Sequence, residues 1–140
     1  MATQIRPWLR VGPQTDVPAE RARGSFILNV LEAEPTTPYD AWIPVLRADG
    51  EEVVADPAKL DRVAAEVQRL RDEGRVVYLH CGQGMERSPM TIAWVLWRAG
   101  EAKSFDAAYD EVQRVHRDTQ RRDSWIPWAA RHGLPGAGRR

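Results

Sequence analysis

Apolar positions in this 140-residue chain fall into two kinds of run. Short, nearly unbroken runs predict strands over Trp8–Val11, Phe26–Leu31, Trp42–Leu46 and Val76–Leu79. The last is apolar throughout, as in a strand buried on both faces of a parallel sheet. Pro44 lacks an N–H and argues against a fully bonded central place for the third run. Asp49-Gly50 marks a turn. Longer runs with three- and four-residue spacing predict helices. In the first, Asp56 caps, Pro57 opens, and Leu60, Val63, Val67 and Leu70 form the buried stripe before Gly74. Its length suits the crossover of a parallel pair joining Trp42–Leu46 to Val76–Leu79. The second, Met90–Trp97, is apolar nearly all round and predicts a central helix, with Ser88 as cap and Pro89 as first residue. The third is capped by Ser104 and places Phe105, Ala108, Val112 and Val115 on one face. Trp125 and Trp128 predict a last short helix, and residues 135–140 a frayed tail.

Composition narrows the function classes. There are 20 basic and 20 acidic residues, so the formal net charge is zero. A nucleic-acid or membrane-surface binder driven by bulk charge is not expected. No apolar run approaches the roughly 18 residues of a membrane helix, and no segment reads as a signal peptide. The single cysteine cannot form an internal disulfide, and a reducing, cytoplasmic setting is expected. One cysteine and three scattered histidines give no structural-zinc spacing, so no metal or cofactor is expected.

Chemistry concentrates in "HCGQGMERSP", which begins at His80 and lies between the last strand run and the apolar helix. Backbone N–H groups of such a loop and of the helix start can converge on an anion. Glycines at 82 and 84 permit tight turns and close backbone approach. Arg87 adds a planar, permanently charged fork matched to two phosphate oxygens. Cys81 is expected in the same positive field, the setting in which a cysteine acts as a nucleophile. The loop therefore holds both an anion cradle and a nucleophile. It lacks the Walker order of residues, and no second cysteine makes a redox pair.

"HCGQGMERS" resembles the signature of the cysteine-dependent protein tyrosine phosphatase superfamily, and its surroundings resemble the small dual-specificity branch. The resemblance runs from about Ile5 to Gly133 and includes "FILNV", "IPVLRADGE" and "FDAAYDEVQRVHR". It implies an α/β fold: a short, central, mostly parallel β-sheet flanked by helices, in one catalytic domain over residues 1–134. It implies Cys81 as nucleophile and Arg87 as phosphoryl-binding residue. The phosphate-binding loop would comprise Gly82, Gln83, Gly84, Met85, Glu86 and Arg87. Ser88 would stabilise the thiolate leaving group, and His80 would support the loop. Asp49, 32 residues before Cys81, would be the general acid. The pair Met85-Glu86 departs from the family pattern. Glu86 puts negative charge near a dianion site, where it either points away or meets a basic group, and it argues against highly anionic phosphoinositides.

The resemblance implies a phosphomonoester hydrolase acting through a phosphocysteine intermediate on phosphotyrosine, and on phosphoserine or phosphothreonine, in proteins. Two alternatives stay open: the same chemistry on a small-molecule, inositol or nucleotide/RNA phosphate, and a non-catalytic phosphate-binding module. The expected partner is a phosphorylated protein or small phosphorylated molecule, with no obligate nucleic acid and no membrane. His116 and His132 are expected at the solvent or at helix ends, and Trp94 and Trp97 in the core. Arg117, Arg121 and Arg122 read as a solvated face.

Overall fold

A computed structural model describes residues 2–83 and 85–126. Its strands are β1 (Thr3–Arg6), β2 (Leu9–Gly12), β3 (Phe26–Asn29), β4 (Ala41–Trp42), β5 (Leu46–Asp49), β6 (Glu52–Ala55) and β7 (Val77–His80). Its α-helices are α1 (Val17–Ala22), α2 (Pro57–Asp72), α3 (Arg87–Arg98) and α4 (Phe105–Val115). One sheet has the order β1-β2-β7-β3-β4; β1 is antiparallel to β2, and every other neighbouring pair is parallel. β5 and β6 form a separate antiparallel hairpin.

Alternation along the central strands builds two cores. Leu28, Val77 and Leu79 join the large cluster with Leu60, Val63, Met90 and Trp94 of the long helices. Ile27 and Tyr78 point the other way and pack with Val17 of α1. This is the two-face burial expected of a parallel sheet. Every residue of α3 from Ser88 to Trp97 is buried. Trp94, Phe105 and Tyr109 form a chain of tilted and edge-on rings between α3 and α4, with Trp97 edge-on to Trp94. The buried Trp94 indole N–H donates to Asp61 Oδ1 at 2.8 Å, as a buried indole must find an acceptor.

The caps follow from the sequence. Asp56 Oδ1 accepts from Ala58 N at 3.0 Å, and Ser104 Oγ accepts from Ala107 N at 3.0 Å. Gly74 ends α2 with φ +77°, a conformation favouring glycine. Ser88 is not the cap of α3. Glu86 holds that position, and Ser88 lies inside the first turn.

The run expected as one strand over Trp42–Leu46 is two. β4 stops at Trp42 and β5 opens the hairpin at Leu46, with Pro44 between them. The crossover pair expected from it is not formed either: β3 lies between β4 and β7. Phe26–Asn29 is the more apolar run and takes the place beside β7. Val115 is 44% exposed, and Tyr109 is buried on the α4 face in its stead. His116 is buried, and its Nδ1 lies 2.7 Å from Thr3 Oγ1 on β1. Of the last expected helix, Asp123–Trp125 forms a single 3-10 turn; Trp128 and the tail lie outside the described residues. No described helix is long and apolar enough to cross a membrane.

Candidate functional site

β2, β7 and β3 run parallel and end level. Gly12 is in register with His80, and His80 with Asn29. The segments leaving those ends carry Gln14, the loop after Cys81, and Glu32. Ligand sites of open parallel sheets gather at this edge. α3 begins at the far side of the loop and turns its N-terminus, the positive end of its dipole, toward it.

Cys81 is only 2% exposed and packs with the core, yet it lines a cleft of about 180 Å³. Gly82, Gln83, Met85, Glu86 and Arg87 form the rest of that cleft. Cys81 is therefore its floor. Gly84 lies outside the described residues.

Three loop carbonyls are fastened from outside the loop or by its own base. Gln14 N donates to Gly82 O at 2.8 Å, Gln120 N donates to Met85 O at 2.6 Å, and His80 Nδ1 lies 2.8 Å from Cys81 O. In a trans peptide the C=O and the following N–H point in opposite directions. Anchoring these carbonyls turns the N–H groups of Gly82, Gln83 and Glu86 away from the anchors. None of the three donates to a carbonyl outside regular structure among the described residues. They are free, among the described residues, to donate to an anion in the cleft.

The anchor at His80 fixes its tautomer. A carbonyl only accepts, so Nδ1 carries the proton. Nε2 is then an acceptor, 3.4 Å from Asn29 Nδ2. Asn29 is oriented in turn, because its Oδ1 accepts from Leu31 N at 2.8 Å. Burial lowers the His80 pKa below its ordinary 6.5, against the raising effect of the Cys81 carbonyl. Tyr78 stacks on the ring at 5.7 Å between ring centroids.

Arg87 is gripped by a residue that sequence reasoning missed. Its Nε and Nη2 donate to the two carboxylate oxygens of Glu32, the second at 3.0 Å. This bond raises the Arg87 pKa most; burial opposes it, and the charges of Glu32, Cys81 and Glu86 add to it. A guanidinium has five N–H donors. Glu32 takes one edge and leaves the two protons of Nη1 and one of Nη2 for another anion. On another side, Arg87 Cζ lies 5.8 Å from the Trp125 ring. Glu32 follows the end of β3 but stands 55 residues from Arg87 and belongs to no local pattern with it. Only the pairing of β3 with β7 brings it there, and that pairing is not written in residue spacing.

Glu86, left open by sequence, meets a basic group: its carboxylate accepts from Arg122 Nε. Arg122 is thus no part of a merely solvated face. Arg121, beside it, bridges Asp106, Asp110 and Asp123 at 2.8, 2.8 and 2.9 Å. Ser88 is fully buried, and its Oγ has no hydrogen-bond partner among the described residues. Asp49 stands apart from this group. It ends β5, exposed, opposite Glu52 across the hairpin. Among the described residues no group of three or more His, Cys, Asp or Glu side chains could hold a metal ion.

No protein-family model matches the chain. It is 28% identical over 122 residues to dual specificity protein phosphatase 12 of Mus musculus, which covers 81% of this chain. The chain spans 36% of that relative's length. Among solved structures, DUSP15 superposes with a TM-score of 0.76 at 13% identity, covering 99% of this chain and 90% of that one. Human DUSP28 superposes with a TM-score of 0.69 at 21% identity, covering 91% and 88%. The chain thus has the fold of the solved protein tyrosine and dual-specificity phosphatases, and is similar in sequence, more weakly, to dual specificity protein phosphatase 12.

Proposed function

We propose that the chain is a cysteine-dependent phosphomonoester hydrolase acting on phosphotyrosine, and on phosphoserine and phosphothreonine, in proteins. The observation that carries this reading is the meeting of Cys81, the turned amides and the Glu32-braced Arg87 at one cleft. The Cys81 thiolate attacks phosphorus in line. The bond from phosphorus to the leaving oxygen breaks as the sulfur–phosphorus bond forms. Asp49, on its hairpin, gives its proton to the departing oxygen. The amides and Arg87 take up charge on the non-bridging oxygens, and such preorganised donors supply much of the acceleration in acyl and phosphoryl transfer. In the second step the Asp49 carboxylate removes a proton from water as its oxygen attacks phosphorus. The sulfur–phosphorus bond breaks, its electron pair returns to Sγ, and the Ser88 O–H donates to the restored thiolate. Inorganic phosphate leaves. Neutral His80 moves no proton; it holds the loop. These steps draw on no metal or cofactor.

The test is rapid acid quench of the purified protein turning over an aryl phosphate, followed by mass spectrometry. A phosphoryl group on Cys81, and loss of turnover in Cys81→Ser, are expected. Phosphate binding without turnover of any phosphomonoester would replace this reading with a non-catalytic phosphate-binding module. Much faster turnover of a nucleotide, inositol phosphate or RNA 5′-phosphate than of phosphopeptides would keep the chemistry and replace the protein substrate.

A further inference from the structure

β3 and β7 start side by side at the edge of the sheet opposite Cys81, and each is entered from a helix end. α1 leads to β3 through Arg23, Gly24 and Ser25, and α2 leads to β7 through Gly74, Arg75 and Val76. Together these residues line a pocket of about 260 Å³. Two arginines face it and no acidic residue does. Gly24 and Gly74, at φ +91° and +77°, leave its rim open, since a Cβ added at either would meet nothing within 4 Å. The Arg75 guanidinium makes no hydrogen bond or ion pair with the described residues; it lies 5.5 Å from the Phe26 ring. Arg23 Nε stands 3.8 Å from Glu20 Oε2, outside hydrogen-bond range. Glu20 is already committed. Its two oxygens accept from Arg10 at 2.9 Å, and Oε1 also accepts from Ser25 Oγ at 3.1 Å.

We propose that this pocket is a second anion site, separate from the Cys81 cleft, and that it takes a phosphate dianion, free or carried as a small monoester. Two guanidinium groups at one pocket repel each other until an anion comes between them. Each offers a planar fork matched to two oxygens, so a pair of forks suits a phosphate group better than the two oxygens of a carboxylate. The helix ends work against an anion, because α1 and α2 both turn their negative ends toward the pocket. That opposition is the smaller effect. Gly24 N and Ser25 N already donate to Arg21 O and Glu20 O, and Gly74 N and Arg75 N to Arg71 O and Leu70 O. A helix end carries about half a charge before such capping, against a full charge on each arginine. The pocket is also larger than the cleft of about 180 Å³ at Cys81, with Val76 on its wall, so an organic group can accompany the phosphate.

The experiment follows backbone amide NMR shifts of the full chain during titration with inorganic phosphate, at low ionic strength and mildly alkaline pH, where phosphate is a dianion. Two sets of amides are expected to move with separate midpoints: Gly24, Ser25, Gly74, Arg75 and Val76 at this pocket, and Gly82, Gln83 and Glu86 at the Cys81 loop. Arg23 and Arg75 are exposed, so Arg23→Gln and Arg75→Gln leave the fold intact, which unshifted amides elsewhere verify. Each substitution is expected to weaken phosphate at the pocket about fivefold, the scale of an exposed ion pair, and to leave the loop midpoint unchanged. Glycerol phosphate separates the two sources: tighter binding than inorganic phosphate assigns the pocket to monoesters, and equal or weaker binding assigns it to free phosphate. Three results would overturn the proposal: no saturable shift of the pocket amides, a midpoint unmoved in both variants, or the same shifts with sodium acetate at equal ionic strength. Loop amides that alone fail to respond would count against the phosphatase reading and leave this site standing.

Discussion

Replacing Glu32 separates two opposite roles for the carboxylate that grips Arg87. As a brace it holds the guanidinium in one rotamer. As an anion it repels the phosphate that shares that guanidinium. Freeing an arginine side chain returns up to about 2 kcal/mol of rotamer entropy that substrate binding must then remove. Stacking on Trp125 retains part of that order, so the figure is an upper bound. Against it, hydrogen-bond lengths place a dianion on the free edge roughly 6 Å from the carboxylate. The pair is partly exposed, with side chains 28% and 40% accessible, so a water-like dielectric applies. The unscreened repulsion is then about 1.4 kcal/mol, reduced to about 0.7 at physiological salt and about 0.2 at 1 M. Glu32→Ala should therefore lower kcat/KM by up to about tenfold at physiological ionic strength. In 1 M salt the loss should grow, to as much as about twentyfold relative to wild type under the same conditions. Steady-state kinetics on an aryl phosphate at both salt concentrations reads this directly. Unchanged or faster turnover in Glu32→Ala, or a penalty that shrinks with salt, would refute the bracing argument and make Glu32 a competing anion.

Other outcomes follow from the same contacts. Asp49→Asn should slow poor leaving groups by roughly 10²–10⁴-fold and good ones far less, read as the slope of log rate against leaving-group pKa; a parallel loss for all esters would remove Asp49 as the acid. Burial depresses the His80 pKa, so below 6.5 the unfolded chain binds a proton that the folded one resists. Folding stability should thus fall as pH drops below 6.5, and the denaturant midpoint should decline less steeply in His80→Asn. Gly12→Ala would bring its Cβ to 2.6 Å from Tyr78 Oη and 2.9 Å from the Ala2 Cα. Tyr78 also donates to Pro13 O at 2.5 Å and cannot easily retreat, so a loss of about 1–3 kcal/mol is expected in urea unfolding.

What sequence conveys about this fold is what neighbours in the chain decide. The α2 stripe, the Asp56 and Ser104 caps and the apolar β7 run were legible because each rests on local spacing. The hairpin was only half visible, since Asp49-Gly50 marks its turn while Val53 and Val54 carry little alternation. α1 was missed because six residues opening on Val-Pro give no periodicity to read. In the site, Cys81 and Arg87 stand in one loop and could be read together. Glu32, Asn29 and Trp125 could not. They reach the loop through strand register, the β3–β7 pairing and a returning C-terminal segment. Ser88 reads as a cap by residue type, and only the chain path places it inside α3.

The three fastened carbonyls tie the cradle to parts of the chain far apart in sequence: the turn after β2, the end of β7 and the segment after α4. Each strut controls the facing of one peptide plane. The strut at Gln120 belongs to the segment least embedded in the sheet. Warming should detach it first, rotating the Met85–Glu86 plane and removing one donor while the sheet remains intact. Heat inactivation should accordingly precede melting, with inorganic phosphate closing the gap between the two temperatures.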